Sequence, residues 1–138
     1  MLKNGSLVIS ISLRSQTAVE ISIKSAKSSI RLIDNYVDES VLMLIAKRKD
    51  AVKATIYAKA TSRQLEQDLK KHNAQYPPVD IKQLDLSHDR FLIVDEKEVY
   101  HFGASLKDLG KRWFAVSKMD IDTLTLITKI DSCSKERP

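Results

Sequence analysis

Ser87–Asp95 reads SHDRFLIVD. The apolar run Phe91 to Val94 is closed by His-Asp-Arg on one side and by Asp on the other, the mark of a short buried strand. His88 and Arg90 stand two residues apart at its head, so their side chains leave the same face and bring an imidazole and a guanidinium to one point. Arg90 offers phosphate oxygens a planar fork of donors, and His88 is suited to act as nucleophile or proton carrier near neutral pH. Asp95 has the opposite parity and reaches that point only where the strand ends or bulges. The pattern outlines a phosphate site. The plainer alternative makes His88 a turn cap, Arg90 an exposed edge charge and Asp95 the start of the loop Asp-Glu-Lys.

Outward from this stretch, strand and helix alternate. Ile30–Val37 (IRLIDNYV) and Val52–Lys59 (VKATIYAK) read as strands rich in branched apolar residues. Between them, Asp38 or Ser40 caps a helix over Val41–Arg48, where Val41, Leu44 and Ile45 share a face. Thr61 with Gln64 forms a capping box that opens a helix through about Asn73, and Pro77 and Pro78 stop it. Val79–Leu86, Val99–Phe102 and Ala115–Met119 read as further strands, and Ser105 with Asp108 as a second capping box on a short helix stopped by Gly110. Leu7, Ile9, Ile11 and Leu13 alternate as a strand, and Thr17–Ser29 reads as a helix although Val19, Ile21 and Ile23 also alternate. Ile121–Ile130 fits strand or helix, and Asp131–Pro138 reads as a frayed polar tail. The expected architecture is α/β, a mixed β-sheet flanked by helices on both faces, in one domain over residues 1–130 with 131–138 as the tail.

Composition sets the limits. The 138 residues hold 43% hydrophobic and 30% charged side chains with three Gly and three Pro, enough for a core and too few breakers for a linker. Lys and Arg number 23 against 18 Asp and Glu, and the net charge of +5 permits a polyanionic partner such as nucleic acid. Apolar runs such as Val41–Ala46 are far short of a membrane span, and Leu7–Leu13 makes a poor secretory signal. The lone Cys133 excludes an internal disulfide and fits a reducing cytoplasm. His72, His101 and Cys133 form no ligand constellation, so no zinc, and no other cofactor, is expected. Asp34 and Tyr36 lie at the carboxyl end of a strand, the usual rim for ligands in α/β folds, although Asp-Asn before a helix reads first as turn chemistry.

The order of these elements, with HDRFLIVD, a following strand and the glycine turn GASLK, resembles the phospholipase D superfamily over roughly Thr17 to Met119. That family carries a His-x-Lys-x4-Asp motif followed by Gly-Ser-x-Asn, and it includes small nucleases with one motif per chain. The resemblance implies a metal-independent phosphodiesterase in which His88 forms a phosphohistidine and a second His88, supplied by a homodimer, protonates the leaving group. His88 and Asp95 match the motif, and Arg90 replaces its Lys. Gly103 matches the glycine, whereas Ala104 stands at the Ser and Leu106 at the Asn. Trp113 falls where active nucleases of the family place a Glu that orients the histidine.

These departures lead to an endonuclease-like domain with a degenerate His-x-Arg-x4-Asp motif that binds nucleic-acid backbone, or another phosphodiester ligand, with weak or no hydrolysis. In that reading Ser105 and the helix start behind it supply new anion donors, and Lys107, Lys111 and Arg112 around Trp113 and Phe114 make a basic, aromatic loop. The plainer alternative puts the aromatics in the core and the lysines in solvent. Two functional alternatives stand beside the main reading: an active dimeric nuclease, and a non-catalytic dimerisation or regulatory module similar to tail segments behind DNA-binding domains in phage-type regulator proteins.

Overall fold

The computed structural model describes residues 7–10, 14–85, 90–108 and 116–137. Strands are β1 (Leu7–Ser10), β2 (Ser29–Ile33), β3 (Lys53–Ala58), β4 (Val79–Gln83), β5 (Phe91–Val94), β6 (Glu98–Phe102) and β7 (Val116–Met119). Helices are α1 (Arg14–Ser25), α2 (Glu39–Ile45), α3 (Arg63–Gln75) and α4 (Thr123–Cys133), with one 3-10 turn at Leu106–Asp108. The strands form one seven-stranded sheet in the order β1-β7-β6-β5-β2-β3-β4. β2, β3 and β4 run parallel, and the β2–β5, β5–β6, β6–β7 and β7–β1 pairs are antiparallel, so the sheet is mixed.

Alternation along the central strands builds two cores. Ile30 and Leu32, Ala54 and Ile56, Val79 and Ile81, and Leu92 and Val94 face α1, α2 and α3. Ile33, Tyr57, Ile93 and Val99 face Ile127 and Ile130 of α4. Helices therefore cover both faces, as the sequence implied. On α1, Val19 and Ile23 are buried while Ile21 is 61% exposed, which decides the period there in favour of a helix.

Several boundaries differ from the sequence reading. The cap of α3 is Ser62, whose hydroxyl accepts from the N–H of Leu65 at 3.0 Å; Thr61 is one residue too early, and Gln64 bonds Asp68 instead. Asp38 caps α2 as expected, accepting from the N–H of Val41. β2 ends at Ile33, short of the expected Val37; the N–H of Asp34 still donates to the carbonyl of Tyr57 at 3.0 Å, and its side chain is fully buried. The segment left open between strand and helix is a helix from Thr123, capped by Asp122 and running on to Cys133.

The polar tail is docked rather than frayed. Gln83 and Lys135 exchange backbone hydrogen bonds of 2.7 and 2.8 Å, and the Arg137 guanidinium donates to the carbonyl of Ile81 at 2.7 Å and pairs with Glu66 at 3.0 Å. These contacts blunt the open edge of β4. Removing residues 134–138 is expected to lower stability by about 2 kcal/mol, read as an earlier midpoint in urea with an unchanged slope.

β5 and β6 are joined by a three-residue hairpin loop, Asp95, Glu96 and Lys97, closed by the N–H of Lys97 donating to the carbonyl of Val94 at 3.0 Å. Its first two residues, Asp95 and Glu96, both take positive φ, 57° and 58°, a conformation that favours Gly or Asn. Each side chain is anchored outside the turn. Asp95 binds the backbone before β2, and Glu96 pairs with Arg31 at 2.8 Å.

Candidate phosphate site

β5 runs antiparallel to β2, with Phe91 opposite Ile33 and Val94 opposite Ile30. This register decides the fate of the motif. Arg90, at the head of β5, meets the carboxyl end of β2, whereas Asp95, at its foot, meets the amino end. Five residues of extended chain, roughly 16 Å, separate them.

Asp95 therefore does not join Arg90, although the sequence reading set both in one catalytic group. The strand neither bulges nor ends early enough to bring it there. Its Oδ1 accepts from the N–H of Ser28 at 2.7 Å, of Lys27 at 2.9 Å and of Ser29 at 3.2 Å, and from the Ser28 hydroxyl at 3.1 Å. Burial pushes this carboxyl up, but the N–H groups of Ser28, Lys27 and Ser29 outweigh it and leave the pKa at about 2. Asp95 is a clamp on the entry to β2.

At the other end the central residue is Asp34, fully buried. Its carboxyl receives the N–H of Leu106 at 2.9 Å and that of Tyr36 at 3.1 Å, and lies 3.0 and 2.9 Å from the hydroxyl of Ser105. Arg90 approaches with its Nε at 3.8 Å from Oδ1, and its side chain is 21% exposed. Burial raises the pKa of Asp34, against the opposing pull of Leu106, Tyr36, Ser105 and Arg90. Asp34 thus ties together the end of β2, the head of β5 and the turn after β6.

That turn departs from the expected anion-binding helix start. Leu106–Asp108 is a single 3-10 turn, and the hydroxyl of Ser105, 3% exposed, points to Asp34 and to the carbonyl of Tyr36 rather than outward. Ala104 and Leu106, at the positions of the family's Ser and Asn, are buried as well. Gly103 is exposed. Lys107 reaches the rim, where it lines a shallow hollow of about 260 Å³ with Tyr36, Ala60, Ser62 and Leu65. His88, Lys111, Arg112, Trp113 and Phe114 lie outside the described residues.

Asp34 is the buried acid whose weight the sequence reading underrated, since Asp-Asn before a helix suggested a turn. A signal was present. Asp34 continues the parity of Ile30 and Leu32, so its carboxyl points toward the apolar face of the sheet, where an acid needs dedicated partners. Among the described residues no helix is long and apolar enough to cross a membrane, and no three His, Cys, Asp or Glu side chains gather as a metal site.

No protein-family model and no curated protein matches the chain. Solved structures do. Nuc from Salmonella typhimurium, a phospholipase D family member, is 14% identical with a TM-score of 0.62, over 89% of this chain and 91% of its own. Phosphatidylserine synthase from Haemophilus influenzae Rd KW20 is 15% identical with a TM-score of 0.71, over 100% of this chain and 41% of its own. TrmBL2, an archaeal chromatin protein with a novel mode of DNA binding, is 18% identical with a TM-score of 0.57, over 94% of this chain and 52% of its own. One architecture thus serves a lipid synthase and a chromatin protein, and at these identities it is the fold that is shared. The mixed sheet order, the helices on both faces and these superpositions give the chain the phospholipase D superfamily fold.

Proposed function

We propose that this domain grips the phosphodiester backbone of nucleic acid at the rim where Arg90 sits, with His88 as the second contact the motif calls for, and hydrolyses it slowly or not at all. The observation that carries this reading is the fate of the turn after β6. Arg90 sits on the rim at the carboxyl end of β2, while Ala104 and Leu106 are turned into the core where the family places phosphate donors. A site whose hydroxyl and amide donors are replaced by Ala104 and Leu106 holds an anion better than it stabilises a phosphoryl transition state. The DNA-binding chromatin protein of the same fold, and the net charge of +5, lend support. Lys107, Lys111 and Arg112 would extend the contact along the backbone as charge rather than as base readout. In a homodimer, two copies of His88 would meet across the twofold axis.

Wild type, Arg90→Ala and His88→Ala are incubated with labelled single- and double-stranded DNA in EDTA at low salt, and cleavage and retention are read in the same samples. The expected result is retention without cleavage, weakened by about tenfold or more in Arg90→Ala. Lys107→Ala should flatten the salt dependence by about one counterion. EDTA-resistant cleavage lost in His88→Ala would make the domain an active nuclease. Absence of retention at low salt would overturn the proposal and leave a dimerisation module.

A further inference from the structure

On the sheet face that carries α4, opposite the face of Asp34, apolar residues give way to polar ones along β2, β3 and β4. Ile33, Tyr57, Ile93 and Val99 meet Ile127 and Ile130 of α4. At the same parity, Arg31 on β2 stands opposite Thr55 on β3, Thr55 opposite Asp80 on β4, and Lys53 two residues before Thr55. With Glu96 of the β5–β6 hairpin and Asp131 of α4 these residues line a hollow of about 350 Å³.

Part of its wall is already satisfied. Arg31 donates to Glu96 at 2.8 Å, to Asp131 at 2.7 Å and to the hydroxyl oxygen of Tyr57 at 3.1 Å, and Lys82 stands 3.9 Å from Glu136. The rest is not. Thr55 is 7% exposed, and its hydroxyl has no hydrogen-bond partner among the described residues. Tyr57 is 2% exposed and accepts from Arg31, but its own proton finds no acceptor among them. Burial raises its pKa above the ordinary 10.0, against the pull of Arg31, so the proton stays. Hydroxyls this deep in a protein have partners as a rule, and here the hollow is where a partner can come from. Lys53 and Asp80 form no ion pair among the described residues either, although they flank Thr55.

Charge sets the class of guest. Around the hollow Arg31, Lys53 and Lys82 stand against Asp80, Glu96 and Asp131, so the signs cancel and neither a polyanion nor a bare cation is favoured. A guest that carries both signs is. A carboxylate accepts from the Lys53 ammonium and from the hydroxyls of Thr55 and Tyr57, and an ammonium donates to Asp80. An α-amino acid holds those two groups on one carbon, which matches a cation and an anion set on either side of Thr55. Apart from Ile30 the lining is polar or charged, and it offers no bed for a large apolar side chain.

We propose that this hollow binds the zwitterion of a small polar α-amino acid, with Lys53, Thr55 and Tyr57 holding its carboxylate and Asp80 its ammonium. The site stands apart from the rim of Arg90, on the other face of the sheet, and does not rest on the backbone-binding reading.

The test is an NMR titration of the full-length, 15N-labelled protein with glycine and with L-serine. Both should shift the amides of Lys53, Thr55 and Asp80 saturably, with a Kd of about 1 mM. N-acetylglycine lacks the ammonium, glycinamide lacks the carboxylate, and inorganic phosphate is an anion alone; each should bind at least about tenfold more weakly than glycine. Thr55→Val removes the hydroxyl at nearly constant shape, and Asp80→Asn removes an exposed charge, so that one variant on the surface of the fold remains even where the strand substitution perturbs packing. Each should weaken glycine by about tenfold, with amides far from the hollow unmoved. Absence of a saturable shift with both amino acids in wild type overturns the proposal. N-acetylglycine or phosphate binding as tightly as glycine overturns it in favour of a plain anion site, and glycine affinity unchanged in Asp80→Asn overturns the pairing of the ammonium on which it rests.

Discussion

Arg48→Met should lower the stability of the domain by about 3 kcal/mol. Arg48 is 4% exposed, and its guanidinium is spent on four backbone carbonyls: Val52 at 2.7 Å, Ile45 at 3.2 Å, Pro77 at 3.2 Å and Pro78 at 3.0 Å. One side chain thereby satisfies the end of α2, the entry to β3 and the loop from α3 to β4. Methionine fills much of the volume and offers no donor, so the carbonyls of Val52, Pro77 and Pro78 lose this partner, while that of Ile45 keeps the backbone N–H of residue 48 at 3.2 Å. The same substitution has a second readout at His72, which stacks on Tyr76 at 4.9 Å. Burial and then the charge of Arg48 hold its pKa below the ordinary 6.5, so the neutral form belongs to the folded state. Its contribution to stability is complete above 6.5 and is lost as pH falls through the lowered folded value. In Arg48→Met the like charge is gone, and that part of the acid transition should shrink. Urea unfolding at pH 7 and pH 5 measures both effects; a loss below about 1 kcal/mol would mean that water replaces the guanidinium.

The second large effect belongs to Asp95. Asp95→Ala should cost about 2 kcal/mol, the scale of a lost multi-donor cap, while oligonucleotide retention by the folded variant stays at the wild-type value. The pH dependence follows from its lowered pKa. The contribution of Asp95 is complete above the unfolded value of 3.8 and disappears as pH falls toward about 2. A folded Asp95→Ala that lost retention would place the residue at the phosphate after all. Unchanged stability would show that the Lys27–Ser29 backbone finds water as readily as the carboxylate.

The fold was legible because its signals are local. Period-two apolar runs marked β2 to β6, and Pro77 and Pro78 ended α3 where the chain turns. The shift from Thr61 to Ser62 is a contest between adjacent hydroxyls that neither period nor composition settles. What escaped the sequence depends on distant partners. Ser105 with Asp108 looks like a capping box, but Asp34 lies 71 residues upstream and takes the hydroxyl first. The tail looked frayed for lack of apolar residues, yet its backbone and Arg137 find β4 and α3. Parity warned that Asp95 stood apart from Arg90. Only the antiparallel register of β2 and β5 shows that the ends of the motif serve different ends of the strand.

Two joins of the sheet wait on segments made late. β1 is paired by β7, and the edge of β4 is blunted by Lys135 and Arg137. During synthesis the central strands emerge first and expose two unpaired rims until β7 and the segment through Arg137 leave the ribosome. Pairings of such long sequence separation also form slowly. A stalled or truncated nascent chain would thus present sticky strands to its neighbours, and the interval before those residues emerge is when this domain most needs a chaperone.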